Sequence, residues 1–230
     1  MGNENNVTLQ SDASLSTIIE LYLIRHGNAK KLRGETYVTA PLTELGRRQA
    51  ERTGEFFKTQ QLSFDGYYCS ALKRALETAT LIGERIGQMP AVRAGIQEME
   101  YREIPATVLA ELIARTGMLN RYFNNRIGKA IRYPMLGRVA EGMLDIFSAH
   151  PRGRIGLVVH GGVISSILAW YFPRERHRWW RDTVGNCSIT RIELHNGNAK
   201  LLEYDSTAHL AELQSTAHQR NYTLSGDEGV

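Results

Sequence analysis

The sequence predicts an α/β protein, and two observations predict it. Leu21, Tyr22, Leu23 and Ile24 form an apolar run of strand length that stops at Arg25-His26-Gly27. The device recurs far along the chain, where Gly156, Leu157, Val158 and Val159 end at His160-Gly161-Gly162 and pass into a helical stretch. In open parallel sheets ligands collect outside the carboxyl ends of the strands, so Arg25, His26 and His160 are expected on the floor of one pocket. Gly27 is expected to let the backbone turn away and a ligand approach closely.

Size and composition set the frame for these strands. A chain of 230 residues, 42% hydrophobic and 23% charged, suits one globular domain with a sizeable core, or at most one domain with an inserted cap. Its expected limits are a disordered leader over 1–18, a single domain over 19–205 with the cap at about 100–138, and a polar C-terminal tail over 206–230. A formal charge of +4 and a pI near 9.1 favour small anionic partners without marking a nucleic-acid binder, and leave a homo-oligomer open. Cys69 and Cys187 lie far apart with no metal-ligand spacing, which reads as reduced, buried thiols in a cytoplasmic setting. No apolar run approaches the ~20 residues of a membrane span, so no membrane partner is expected.

The elements follow in order. Lys30 to Ala40 reads as a polar loop beside the pocket. Pro41-Leu42-Thr43 opens a helix with Thr43 as N-cap, an inner face of Leu45, Ala50, Thr53, Phe56 and Phe57, and an end at Gln60-Gln61. Tyr67, Tyr68 and Cys69 make a short strand closed by Ser70. Ala71 to Ile86 is helical, with Leu72, Ala75, Leu76, Ala79, Leu81, Ile82 and Ile86 as its apolar stripe. Lys73 and Arg74 occupy its first turn, where the helix dipole disfavours cations; they become sensible there if an anion binds beside them.

Val92 is expected in a brief extended segment, followed by an acidic run holding Glu98, Glu100 and Glu103. Ile104 to Arg138 is expected as two or three helical pieces broken at Gly117, Gly128 and Pro134, with six basic residues against the single acid Glu111. Val139 to Ala149 continues a helix. Val163 to Phe172 is the helix after the second His-Gly strand, with Ile164, Ile167, Leu168 and Trp170 buried. Pro173 to Asp182 reads as a loop in which Trp179-Trp180 packs. Ile189 to Leu194 and Lys200 to Tyr204 are strands of a hairpin turned at Asn196-Gly197-Asn198.

A site with two arginines and two histidines on strand ends and helix starts has a distinct chemical meaning. Guanidinium forks bind tetrahedral phosphate oxygens in paired, charge-assisted hydrogen bonds. An unprotonated histidine nitrogen is a nucleophile near neutral pH, able to take a phosphoryl group and pass it to water. The leaving alkoxide needs a proton, and a carboxylic acid supplies it; Glu98, Glu100 and Glu103 are the candidates. No metal or other cofactor is expected.

The segments LYLIRHG, PLTELGRRQA, YCSALKRALETA, VVHGGVI and GNCSITRIEL resemble, in order, the signature blocks of the histidine phosphatase superfamily, the phosphoglycerate mutase-like proteins. The resemblance implies a three-layer α/β core with a mostly parallel sheet and an inserted helical cap. It implies a histidine acid-type phosphatase with His26 as the phosphorylated nucleophile and Arg25, Arg74 and His160 around the phosphate. Asn28 and Gly161 join that phosphate-binding set, and Ile96-Gln97-Glu98 matches the block bearing the proton donor, which prefers Glu98. The chain departs from the pattern at Asn28-Ala29, where Glu and then Thr or Ser are frequent, at Thr39 in place of an Asp, and at Arg102 and Ile104-Pro105-Ala106 after the donor block.

The function expected is therefore a metal-independent phosphomonoesterase acting on a small phosphorylated metabolite through phosphohistidine. Two other readings stand beside it: a phosphoglycerate-type mutase, which must exclude water from phosphohistidine, and a non-catalytic phospho-ligand or protein-binding module.

Overall fold

A computed structural model describes residues 18–30, 39–98, 126–181 and 184–213. The expected leader, the loop at 31–38, Glu100, Glu103 and most of the expected cap lie outside the described residues, as does the tail beyond 213.

The first strand, β1 (Ile18–Arg25), is buried on both faces because its apolar run is continuous rather than alternating. Ile19, Leu21 and Leu23 enter one core cluster and Tyr22 and Ile24 the other. Two layers of helix therefore sandwich a sheet of six strands among the described residues: β1, β2 (Gly66–Ser70), β3 (Ala91–Arg93), β4 (Gly153–Val159), β5 (Ile189–His195) and β6 (Asn198–Ser206). Their spatial order is β3-β2-β4-β1-β5-β6, parallel from β3 to β1 and antiparallel from β1 to β6. The mostly parallel α/β sheet expected from the sequence is the one observed.

The register places the pocket. Arg25 lies opposite Val159 on the parallel pair β1 and β4, so the next residue on each strand is a histidine. On the other flank of β4, Cys69 pairs with Val158, which brings Ser70 level with the same edge.

One helical layer is formed by α1 (Glu44–Thr59) and α2 (Lys73–Ile86), which pack on each other over Phe57, Ala75, Ala79 and Ile82. Thr43 caps α1 by accepting the Gly46 N–H at 3.1 Å, as its sequence position predicts. Phe56, expected inside, is 37% exposed and stacks on His209 instead. The α2 helix begins two residues later than expected, because Leu72 adopts an extended conformation and serves as N-cap.

The opposite layer holds α3 (Arg126–Ala149), α4 (Gly161–Tyr171) and α5 (Arg176–Arg181). Gly128 and Pro134 do not break α3, contrary to expectation. Proline removes one backbone hydrogen bond at a cost of about 3 kcal/mol. The stripe Met135, Val139, Met143 and Ile146, buried at helical spacing against the core, offsets that cost. Trp170 is a second correction: at the end of α4 it is 61% exposed, while Val163, Ile164, Ile167 and Leu168 fill the inner face. The stretch after α4 is a 3₁₀ turn at Pro173–Glu175 leading into α5, not a loop. Trp179 does pack, buried against Phe172 and Tyr204 with the Arg178 guanidinium over its ring.

Asn196 (φ 48°) and Gly197 (φ 78°) make the two-residue hairpin turn, whose left-handed pair suits the twist of β5 and β6. Leu210 and Leu213, expected in a polar tail, are buried beside Ala50 and Cys187. Both cysteines are buried free thiols, and no described helix is long and apolar enough to cross a membrane.

Candidate active site

His26 is held by its backbone before its side chain does anything. Its N–H donates to Val159 O at 2.9 Å, and its carbonyl accepts from Cys187 N at 3.3 Å and from Asn186 Nδ2 at 3.0 Å. The ring is oriented next. Nδ1 lies 2.8 Å from the Gly27 carbonyl, which only accepts, so Nδ1 carries the proton. The lone pair is left on Nε2, and Arg74 Nε donates to it at 3.1 Å.

Burial, with smaller contributions from the Arg74 and Arg25 charges, pushes the His26 imidazole down to about 3, against the opposing pull of the Gly27 carbonyl. His26 is therefore a neutral imidazole at neutral pH, with its free nitrogen facing a guanidinium.

The His160 ring lies 5.1 Å from the His26 ring, centroid to centroid. The two strand tips, 134 positions apart in sequence, meet. His160 Nε2 is 2.8 Å from Ser70 Oγ, and the buried Nδ1 makes no hydrogen bond. Burial again dominates, and with the neighbouring His26, Arg74, Arg25 and Arg138 it holds the His160 ring well below the usual imidazole range.

Two arginines complete the ring of groups. Arg74, in the first turn of α2, is buried at 7% exposure, whereas Lys73 points outward. Arg25 anchors through Nη1 on the Val184 carbonyl, and its buried Nε makes no hydrogen bond. That Nε sits beside Gly161, whose missing Cβ would lie 3.8 Å from it. Below them, Thr78 accepts the Gly27 N–H at 3.0 Å and donates to the Arg74 carbonyl at 2.7 Å, tying nucleophile turn to guanidinium helix.

Glu98 reaches the same edge from the other side. Its Oε2 accepts the Gly162 N–H at the start of α4 across 3.1 Å. Gly162 is required for that approach, since a Cβ there would stand 2.4 Å from Glu98 Oε1.

One sequence reading changes, and a second residue proves to be tied elsewhere as well. The backbone that crowds Gly27 is the protein's own, not a ligand: a Cβ there would meet the Gly46 carbonyl at 2.5 Å. Asn28 is tied to α1, its Oδ1 accepting from Thr43 Oγ1 at 2.7 Å and its N–H donating to Gln49 Oε1 at 2.9 Å. Its side-chain oxygen thus braces the α1 cap rather than facing the histidines. Ser70, Thr78, Asn186 and Arg138 were not singled out from sequence as site residues. Their long-range partners in the site lie 41 to 160 residues away, and no local pattern marks them.

Among the described residues no group of three His, Cys, Asp or Glu is placed to hold a metal. The arrangement brings together a neutral imidazole nitrogen, the buried guanidinium of Arg74, the half-buried one of Arg25, a second imidazole and, beside Gly162, a carboxylate.

Comparison with known proteins agrees with this picture. A family model described as the histidine phosphatase superfamily (branch 1) matches residues 21–207. A Bacillus subtilis protein described as the uncharacterized phosphatase PhoE is 28% identical over 195 residues, covering 82% of this chain and 95% of its own. Bacillus stearothermophilus YhfR superposes with a TM-score of 0.68 at 22% identity, covering 84% of this chain and 99% of that one. A phosphoserine phosphatase mutant from Entamoeba histolytica, in complex with phosphoserine, superposes at 0.60 with 24% identity over 84% and 99%.

Proposed function

The chain belongs to the histidine phosphatase superfamily, branch 1, and we propose that it is a metal-independent phosphomonoesterase that hydrolyses a small phosphorylated metabolite through a phosphohistidine on His26. The observation that carries this reading is the tautomer of His26: Nδ1 is fixed by the Gly27 carbonyl, so Nε2 holds the lone pair and faces the Arg74 guanidinium.

In the first step Nε2 attacks phosphorus, the N–P bond forms and the bond to the substrate's ester oxygen breaks. Glu98 gives its proton to that oxygen as it leaves. In the second step water attacks the phosphohistidine, Glu98 takes the water's proton, and inorganic phosphate and free His26 are regenerated. The Arg25 and Arg74 guanidiniums supply positive charge to the equatorial oxygens through both steps. With the Ser70 hydroxyl donating to Nε2 of His160, Nδ1 of that ring carries a proton and becomes a further donor to the phosphoryl group. Phosphoserine, the ligand of the Entamoeba relative, is a phosphomonoester of the class this site suits.

The test is release of phosphate from p-nitrophenyl phosphate with excess chelator present. Turnover is expected in the wild type and absent in His26→Ala; dependence on added metal contradicts the reading.

A further inference from the structure

Unlike Arg25, His26, Arg74 and His160, Glu98 stands on neither a strand tip nor a helix start, so other contacts must fix it. Besides the Gly162 N–H on its carboxylate, three contacts with α3 seat the segment that leads to it. Gly95 (φ 86°) packs directly on Gly142, where a Cβ would stand 3.0 Å from the Ala94 carbonyl. Ile96 is fully buried in the core cluster that holds Met135, Val139 and Met143. Arg138 Nη1 donates to Gly95 O and Gln97 O, each at 3.0 Å, and to Gln97 Oε1 at 3.3 Å. A single nitrogen thus ties together the backbone on either side of Ile96, one residue before the carboxylate.

We infer that Arg138 is a positioning residue for Glu98, setting the reach of the acid through the Gly95–Gln97 backbone rather than by touching substrate. The inference rests on the reading of Glu98 as proton donor. Backbone carbonyls at 3.0 Å from a guanidinium make charge-assisted bonds, stronger than neutral ones. Without them the segment is still seated by Gly95 and Ile96, so it stays folded while the carboxyl loses its register. A misplacement of about 1 Å can cost on the order of 10²-fold in rate. That loss falls on the step that needs the proton.

The experiment measures kcat/KM, which reports the phosphorylation step and not the later hydrolysis of phosphohistidine common to all substrates, on β-glycerol phosphate, whose alkoxide needs protonation, and on p-nitrophenyl phosphate, whose leaving group does not. Wild type, Glu98→Gln, Arg138→Gln, Arg138→Lys and the Glu98→Gln/Arg138→Gln double variant are compared. Arg138→Gln is expected to lose roughly tenfold or more on β-glycerol phosphate and less than about twofold on p-nitrophenyl phosphate. Arg138→Lys is expected to recover most of the loss, because the contacts described radiate from one nitrogen. The double variant is expected to be no slower than Glu98→Gln.

Equal loss on both substrates, or multiplied losses in the double variant while Glu98→Gln alone is leaving-group selective, overturns the role of Arg138 and leaves the donor reading intact. Absence of selectivity in Glu98→Gln overturns both. Should Arg138→Gln fail to fold, Gly142→Ala keeps Arg138 but displaces the Ala94–Gly95 backbone by a few tenths of an ångström. The same selective loss is expected there, and its absence counts against the inference.

Discussion

Arg74 Nε donates to His26 Nε2 across 3.1 Å, so a guanidinium rests on the one nitrogen whose lone pair is free. A cation so placed adds to the burial that keeps the imidazole unprotonated, and in the proposed reaction it stands beside the oxygens of the incoming phosphoryl group. Arg74→Lys keeps the charge but not the planar fork, and is expected to lower kcat/KM for p-nitrophenyl phosphate by roughly 10²-fold, with Arg74→Ala lower still. Steady-state kinetics on the two variants check this, and near-wild-type activity in Arg74→Lys contradicts a forked contact.

The depressed His26 pKa has a consequence for stability. The folded ring stays neutral down to about 3, whereas the unfolded chain takes up a proton near 6.5. Between those values the unfolded state binds more protons, so stability is lost as pH falls. From pH 7 to pH 5 the loss is about 2 kcal/mol for one such histidine. Urea unfolding at both pH values is expected to show a pH-dependent loss smaller by that amount in His26→Gln than in the wild type. Identical slopes contradict a buried neutral His26.

Thr78 links the two halves of the site. Thr78→Val keeps the shape but leaves the buried Gly27 N–H without its acceptor, a penalty of about 1–3 kcal/mol. Denaturant unfolding is expected to register that loss, with a further decrease in kcat as the turn under His26 loosens. Unchanged stability argues against the hydrogen bond.

Gly162→Ala tests how close Glu98 must come. The added methyl displaces only the tip of a flexible side chain, from a contact of 2.4 Å, so thermal stability is expected to hold within about 1 kcal/mol. The kcat/KM for β-glycerol phosphate is nonetheless expected to fall far more than that for p-nitrophenyl phosphate. A variant equally active on both places the working carboxyl elsewhere.

What could be read from sequence follows the range of the forces involved. The strand tips at Arg25-His26 and His160 were legible because a continuous apolar run followed by cationic residues is a local pattern with one economical explanation. Arg74 was legible through the conflict between its charge and its place in α2. The continuity of α3 through Gly128 and Pro134 was not, because the burial of Met135, Val139 and Met143 that offsets those breakers is tertiary. Phe56 and Trp170 fit the apolar face of their helices by spacing, yet are exposed, because which edge of that face meets the core is decided by tertiary packing. The tie of Asn28 to α1 was not legible for a related reason: its partner Thr43 becomes its neighbour only once α1 folds back on the tip of β1.

The most direct test is to mix the protein with p-nitrophenyl phosphate, quench within one turnover under conditions that preserve phosphoramidates, and map the phosphorylated peptide by mass spectrometry. A phosphoryl group on His26 in the wild type, accumulating further in a variant slowed at hydrolysis such as Glu98→Gln, is the result the account predicts. Phosphorylation at another residue, or substrate turnover with no phosphorylated protein at any time point, contradicts it.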